Sequence, residues 1–233
     1  MKPVLNISGL TKVYGEVRAL DELDLTVEFG SIHGFVGPNG SGKTTMLSIV
    51  AGLRRKTAGD ITFGIARNRM MLMPDTPDFF PLLTTREIVD LARYPFRNEV
   101  SEESVEQVID QVGLADSIDR RVGGFSRGMK QRLALASTLI AEPQLLLLDE
   151  PCSALDPIGR REILDAILRL KNKSTVLFST HILSDVEDVC DSVTVVDHGK
   201  ALYEGSVDGI KKSEKQSFED AVLALLQPGR SAE

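Results

Sequence analysis

Apolar and polar side chains alternate along residues 4–10 and again along residues 20–27, the period of a strand with one buried face. The first of these reads as an edge strand. Residues 32–36, IHGFV, read as a short buried strand, and Met46, Leu47, Ile49 and Val50 then recur with helical spacing. Gly52 marks the end of that helix, and Ala58, Gly59 and Asp60 read as a turn. Residues 61–63 and 70–73 are short strand patterns, the second stopped by Pro74. The period then becomes helical. Ile88, Leu91 and Ala92 share one face of a helix with Thr85 as N-cap and Pro95 as stop. Ser101 opens a second helix carrying Val105, Val108, Ile109 and Val112, ended by Gly113, and a third spans residues 129–141. Residues 76–141 are therefore expected to be all-helical, inserted into an α/β core.

The core pattern resumes after Pro143. Residues 144–148 form a run ending in four leucines, as in a parallel strand buried on both faces. Asp156 and Pro157 supply an N-cap and a first helical position for a helix reaching about residue 170. Residues 175–178 are a further strand, and residues 193–196 with 201–203 read as a closing hairpin. Residues 211–215 are charged and expected to be solvated. Ser217 caps a short helix whose Phe218, Val222, Leu225 and Leu226 form a stripe expected to pack on the core.

Composition narrows the class. A chain of 233 residues, 42% hydrophobic and 26% charged, suits one soluble domain or a core with an inserted subdomain. The net charge of −7 argues against a nucleic-acid partner. The two cysteines, Cys152 and Cys190, have no metal-ligand spacing, so a reducing cytoplasmic setting is expected. No signal peptide opens the sequence and no apolar run has the length of a membrane span, so any membrane role is expected to come through a partner.

The chemistry concentrates at residues 37–44, GPNGSGKT, which fit the phosphate-binding loop pattern between a strand and a helix. Gly37, Gly40 and Gly42 let the backbone turn successive N–H groups toward an anion, together with Pro38, Asn39 and Ser41 of the same loop. The following helix N-terminus adds partial positive charge. Lys43 is placed for the β- and γ-phosphates, Thr44 for Mg²⁺, and Thr45 for further phosphate contact. The leucine strand ends in Asp149, a Mg²⁺ group acting through water, and Glu150, placed to orient or deprotonate an attacking water. His181 follows a second apolar strand, at the sheet edge where open α/β folds bind ligands, and is expected to contact phosphate. Ser126, before Arg127 and Gly128, opens the third inserted helix as a second anion site. Tyr14 reads equally as a base-stacking platform or as a surface side chain in a hairpin.

Taken together these motifs resemble the nucleotide-binding subunit of an ABC transporter, from about Val4 to Gly205. GPNGSGKTT resembles the Walker A motif and LLLLDEP the Walker B motif. FSRGM stands at the LSGGQ-type signature, residues 153–156 (SALD) resemble the D-loop, and His181 the switch histidine. The resemblance implies a phosphate-loop NTPase core with antiparallel edge strands. Core residues are then 1–75 and 142–205, the helical subdomain 76–141, and the C-terminal tail and helix 206–233. It implies Mg²⁺-dependent ATP hydrolysis, adenine stacking on Tyr14, and ATP contacts from Ser126, Arg127, Gly128 and Asp156. It also implies a homo- or heterodimeric pairing with a second ATPase subunit, and a peripheral position on the inner face of the membrane through an integral permease.

The chain departs from the family pattern in two places. Arg127 and Met129 replace the usual glycine and glutamine of the signature, a variant similar to exporters whose ATPase and permease are separate chains. Asp75 stands where the family has glutamine. A carboxylate there is shorter and cannot donate a hydrogen bond, but it can ligate Mg²⁺ together with Thr44 and Asp149. Phe79, Phe80, Leu82 and Leu83 read equally as a docking surface for the permease or as subdomain core. The alternatives are a soluble ABC-type ATPase acting on a non-membrane partner, and a phosphate-loop kinase, which would leave the signature and His181 unexplained.

Overall fold

The computed structural model describes residues 2–153, 155–213 and 216–227. Two sheets organise it. In the smaller, β1 (Leu5–Tyr14) lies between β2 (Val17–Val27) and β4 (Ala58–Phe63) and is antiparallel to both. The larger contains β3 (Ile32–Val36), β5 (Met70–Met73), β6 (Leu145–Asp149), β7 (Thr175–Thr180), β8 (Ser192–Asp197) and β9 (Lys200–Ser206). Its order is β5-β6-β7-β3-β8-β9, parallel throughout except for β9 at the edge.

The continuous leucine run of β6 follows from this layering. Leu145 and Leu147 enter one apolar cluster, with β1, β2 and helix α1 (Lys43–Val50). Leu146 and Leu148 enter the other, on the opposite face. That second cluster gathers α2 (Thr85–Arg93), α3 (Glu103–Gln111), α4 (Arg127–Leu139), α5 (Pro157–Leu168), α6 (Leu183–Val189) and α7 (Phe218–Leu226). Both faces are covered, as parallel sheets require. Between β5 and β6 the described residues form helices, 3₁₀ turns and a single bridge, Thr84 to Arg121. The stripe of α7 packs inward through Phe218, Ala221 and Val222.

Several local expectations are corrected. The strand read as an edge is the centre of the smaller sheet, and its alternation reflects one dry face rather than an open side. Ala58 and Gly59 belong to β4. Gly59 has a φ of +88°, and an added Cβ there would stand 2.3 Å from the Gly9 carbonyl oxygen. The glycine therefore serves an irregular pairing with β1, whose register shifts between Ser8 and Thr11, rather than a turn. Thr84, not Thr85, caps α2. Its hydroxyl accepts from Glu87 N while the Glu87 side chain accepts from Thr84 N, a reciprocal capping box that leaves Thr85 as the first helical residue. Ser101 does not cap α3, whose N-cap position is Glu102. Leu91 is exposed, and Val89 takes its place in the core. Helix α6 escaped the pattern because it has only 7 residues, too few to show a period.

One buried titratable group carries a pH signature. His33, on β3, is 1% exposed and satisfied by the Ser192 hydroxyl at 2.7 Å and the Thr194 hydroxyl at 2.9 Å. Burial lowers its pKa from 6.5 to about 4. Between those values the unfolded chain binds one more proton than the folded one, so stability falls as pH drops through that window, by at most about 1.4 kcal/mol per pH unit. Asp149 and Asp185, raised by burial, act in the opposite sense but equally in parent and variant. His33→Gln is expected to flatten the dependence. Urea midpoints of the two chains across the window measure it, and equal slopes would refute the assignment.

Candidate functional site

Parallel strands bring distant residues to one edge. Register pairs Val36 with Thr180 and Asp149 with Ser179, so the C-terminal ends of β3, β6 and β7 meet there. The loop leaving β3 is tightly confined. An added Cβ on Gly37 would stand 2.1 Å from the Val196 carbonyl oxygen, and one on Gly42 would stand 2.6 Å from that of Ala19. Gly42 also has a φ of +106°, which favours glycine where the loop enters α1. Ser41 is buried, and among the described residues its hydroxyl has no hydrogen-bond partner.

Lys43 is 6% exposed, and its ammonium donates to the Gly37 carbonyl at 2.8 Å and the Pro38 carbonyl at 3.1 Å. Glu150 Oε1 lies 3.3 Å from the same nitrogen, an ion pair without hydrogen-bond geometry. Glu150 Oε2 meets His181 Nδ1 at 2.9 Å. The Glu150 backbone has a φ of +48°, a left-handed conformation costly for a residue with a side chain. Its N–H is held by Ser179, through the hydroxyl at 3.1 Å and the carbonyl at 3.2 Å.

Asp149 is buried, and its Oδ1 accepts from the Ser179 hydroxyl at 2.6 Å. Burial pushes its carboxyl above the usual range, the Ser179 and Thr44 hydroxyls pull it back, and the charges of Asp75 and Glu150 push it up again. Such a carboxylate is relieved by a cation. Among the described residues no three His, Cys, Asp or Glu side chains form a metal cluster. A hydroxyl and a carboxylate side by side nevertheless fit Mg²⁺, which completes its shell with phosphate oxygens and water. Asp75 accepts from the Ser153 hydroxyl at 2.9 Å, lies 3.9 Å from the Arg127 guanidinium, and its carbonyl accepts from Gln131 Nε2 at 2.8 Å.

These groups border a cleft of about 370 Å³. Of the residues singled out in the sequence, Asn39, Gly40, Gly42, Lys43, Thr44, Thr45, Asp75, Arg127, Glu150 and His181 line it. Tyr14, Gly37, Pro38, Ser41, Ser126, Gly128, Asp149 and Asp156 are not among its lining residues. Tyr14 sits at the β1–β2 hairpin end with its hydroxyl accepting from Arg54 and the Lys12 ammonium 4.7 Å from its ring centre. Ser126 caps α4 by accepting from Met129 N, and Asp156 caps α5 by accepting from Gly159 N. Ala154 of the D-loop-like segment lies outside the described residues.

Two polar residues went unread in the sequence, Ser179 and Gln131, and Ser153 reads there only as the first residue of the D-loop-like segment. Ser179 belongs to the strand end that carries His181, but only the pairing of β6 with β7 sets it against Asp149. Gln131 is fully buried on α4, and only the fold brings its amide to the Asp75 carbonyl.

A family model described as "ABC transporter" matches residues 20–153. The bacitracin transport ATP-binding protein BcrA of Bacillus licheniformis is 36% identical, over 94% of this chain and 75% of that protein. A daunorubicin resistance ATP-binding protein of Streptomyces coeruleorubidus is 34% identical, over 94% of this chain and 73% of that protein. A solved structure of an ATP-binding subunit of an ABC transporter superposes with a TM-score of 0.86 at 26% identity, covering 96% of this chain and all of that one.

The placement of Glu150 beside Lys43 and His181 generates a direct test. Glu150→Gln is expected to leave ATP binding in place and to slow hydrolysis by roughly 10²-fold or more, as loss of a general base does. Equilibrium nucleotide binding and phosphate release, measured on the same sample, separate the two effects. Turnover at the parent rate would remove Glu150 from the base role.

Proposed function

The chain belongs to the ABC transporter family as an ATP-binding subunit that hydrolyses ATP, and from that premise we propose that it powers export through a membrane permease carried on a separate chain. Among the described residues no helix is long and apolar enough to cross a membrane. In this reading a partner supplies the translocation path, a division that the name of one relative, a transport ATP-binding protein, supports. Resistance to a drug, the property named for one relative, is served by outward movement, and this favours export over import.

At the cleft, the Lys43 ammonium exchanges the two loop carbonyls for the β- and γ-phosphates of ATP. The backbone of Gly37, Pro38, Asn39, Gly40, Ser41 and Gly42, with Thr45, wraps the same charge. Thr44, Asp149 and Asp75 would hold Mg²⁺, which neutralises phosphate charge when bound. Glu150 takes the proton of the attacking water. His181 holds the Glu150 carboxylate from the other side and faces the γ-phosphate. Tyr14 offers its ring to the adenine.

Ser126, Gly128 and Asp156 lie away from the chain's own cleft, at the N-termini of α4 and α5. That position suits them to the nucleotide of a second ATPase subunit, identical or not, with Arg127 beside them. The complex then sits on the cytoplasmic face of the membrane. The loop before α2 supports a docking surface: Phe79 and Leu83 pack inward, while Phe80 is 71% exposed and Leu82 74%. No nucleic acid enters this reading.

Affinity purification from detergent-solubilised membranes is expected to recover a multi-span membrane protein, and Phe80→Asp to lose it while the chain stays folded. Repeated recovery of soluble partners alone would favour the rival, a soluble ABC-type ATPase. A second measurement addresses Asp75. Carboxylates are the usual protein ligands where Mg²⁺ also binds phosphate. Asp75→Asn is therefore expected to raise the Mg²⁺ concentration giving half-maximal ATPase activity, and superimposable Mg²⁺ titrations would refute direct ligation.

A further inference from the structure

Helices α5 and α6 each follow a segment that reaches the cleft. The strand end carrying Glu150 leads through Ser153 to α5, and β7 leads through His181 to α6. One ion pair ties the two helices together. Arg160 Nε donates to Asp185 Oδ1 at 2.5 Å, and a second guanidinium nitrogen donates to the Ser184 hydroxyl at 2.6 Å. Asp185 is fully buried, and its other oxygen has no hydrogen-bond partner among the described residues.

A pair in which Asp185 is buried with one oxygen left over while Arg160 is 28% exposed is a poor source of stability, because the desolvation of the carboxylate offsets the attraction. What it does supply is a fixed geometry between α5 and α6. Besides the packing of Leu183 and Val186 against the core, the turn that carries His181 has few other polar fixed points among the described residues. Ile182 N donates to the Thr180 hydroxyl at 3.0 Å, and Asp185 N donates to the Ile182 carbonyl at 3.2 Å. The imidazole is 43% exposed, and among the described residues its polar side-chain contact is Glu150. Its direction therefore follows the turn, and the turn is anchored by Asp185.

We propose that Asp185 and Arg160 are a positioning pair for ATP hydrolysis, holding the turn between β7 and α6 so that His181 meets Glu150. This rests on the roles given to His181 and Glu150 above. Neither Asp185 nor Arg160 lines the cleft or touches nucleotide in this scheme.

The test is a double-mutant cycle on the full chain with one spectroscopic readout. Asp185→Asn keeps the side-chain shape and removes the charge. It is expected to lower kcat roughly 10- to 100-fold, the cost of a small misplacement of a reacting group, with little change in the KM for ATP. In a His181→Ala background the same substitution should change kcat by less than about twofold, because the two act through one another. The chain has only 3 histidines, so isotopically labelled histidine gives a nitrogen spectrum in which His181 is identified by its loss in His181→Ala. Asp185→Asn should move the His181 Nδ1 resonance and leave those of His33 and His198 in place. Equal kcat losses in both backgrounds, with His181 Nδ1 unmoved, would mark the pair as merely structural and overturn the proposal. Full activity of His181→Ala would overturn the role given to His181 and the kinetic half of this proposal, while the nitrogen resonance still decides whether Asp185 positions the ring. Should Asp185→Asn fail to fold, Arg160→Lys keeps the charge but loses the two-pronged contact. It is expected to show the same pattern at smaller amplitude, and a parental kcat with an unshifted His181 would overturn the proposal equally.

Discussion

Lys43, Asp149 and Glu150 are held almost out of water at the end of one parallel sheet. A charge removed from water costs several kcal/mol unless neighbours repay it, and much of the local structure is that repayment. Loop carbonyls and Glu150 surround the Lys43 ammonium. The Ser179 hydroxyl serves both Asp149 and the strained Glu150 backbone. His181 takes the remaining Glu150 oxygen. In the structure these groups are paired chiefly with one another, Glu150 Oε1 through the ion pair with Lys43 alone. In the function proposed above, a triphosphate would replace the carbonyls around Lys43, so that binding would exchange one set of partners for another instead of exposing a buried charge.

That arrangement needs a rigid support, and the sheet provides it. β3, β6 and β7 are paired side by side, and both faces are covered by apolar clusters. Two glycines of the loop are confined by backbone from neighbouring segments, Val196 behind Gly37 and Ala19 beside Gly42. A methyl group at either position would meet a carbonyl oxygen, so the cleft wall tolerates no side chain there. The smaller antiparallel sheet contributes through the same contact, since Ala19 belongs to β2.

The two departures from the family pattern meet in space. Asp75 and Arg127 are far apart in sequence, yet their side chains approach to 3.9 Å at the rim of the cleft. Both are substantially exposed, so the pair adds little stability. Its effect is electrostatic: a carboxylate introduced near two others acquires a guanidinium beside it. Gln131 fixes the same segment more firmly, from the buried face of α4, by taking the Asp75 carbonyl. The helical region is thereby coupled to the cleft through the backbone of Asp75 as well as through its side chain.

The sequence by itself determined the elements whose signals are local. A glycine-rich loop between an apolar strand and a helix, a leucine strand ending in two carboxylates, and the caps Ser126, Asp156 and Ser217 are all written within a few residues. Short-range backbone sterics and hydrogen bonding suffice to read them. The tertiary structure decided what depends on pairing between remote segments. Strand order made β1 a central strand and turned Gly59 from a turn residue into a site of close backbone approach. Register set Ser179 against Asp149, and packing split Phe79 and Leu83 from Phe80 and Leu82. The contacts Arg127–Asp75, Gln131–Asp75 and Arg160–Asp185 belong to the same group. Their residues have no periodic or spacing signature, because each meets its partner only after the chain has closed loops whose length the pattern does not record.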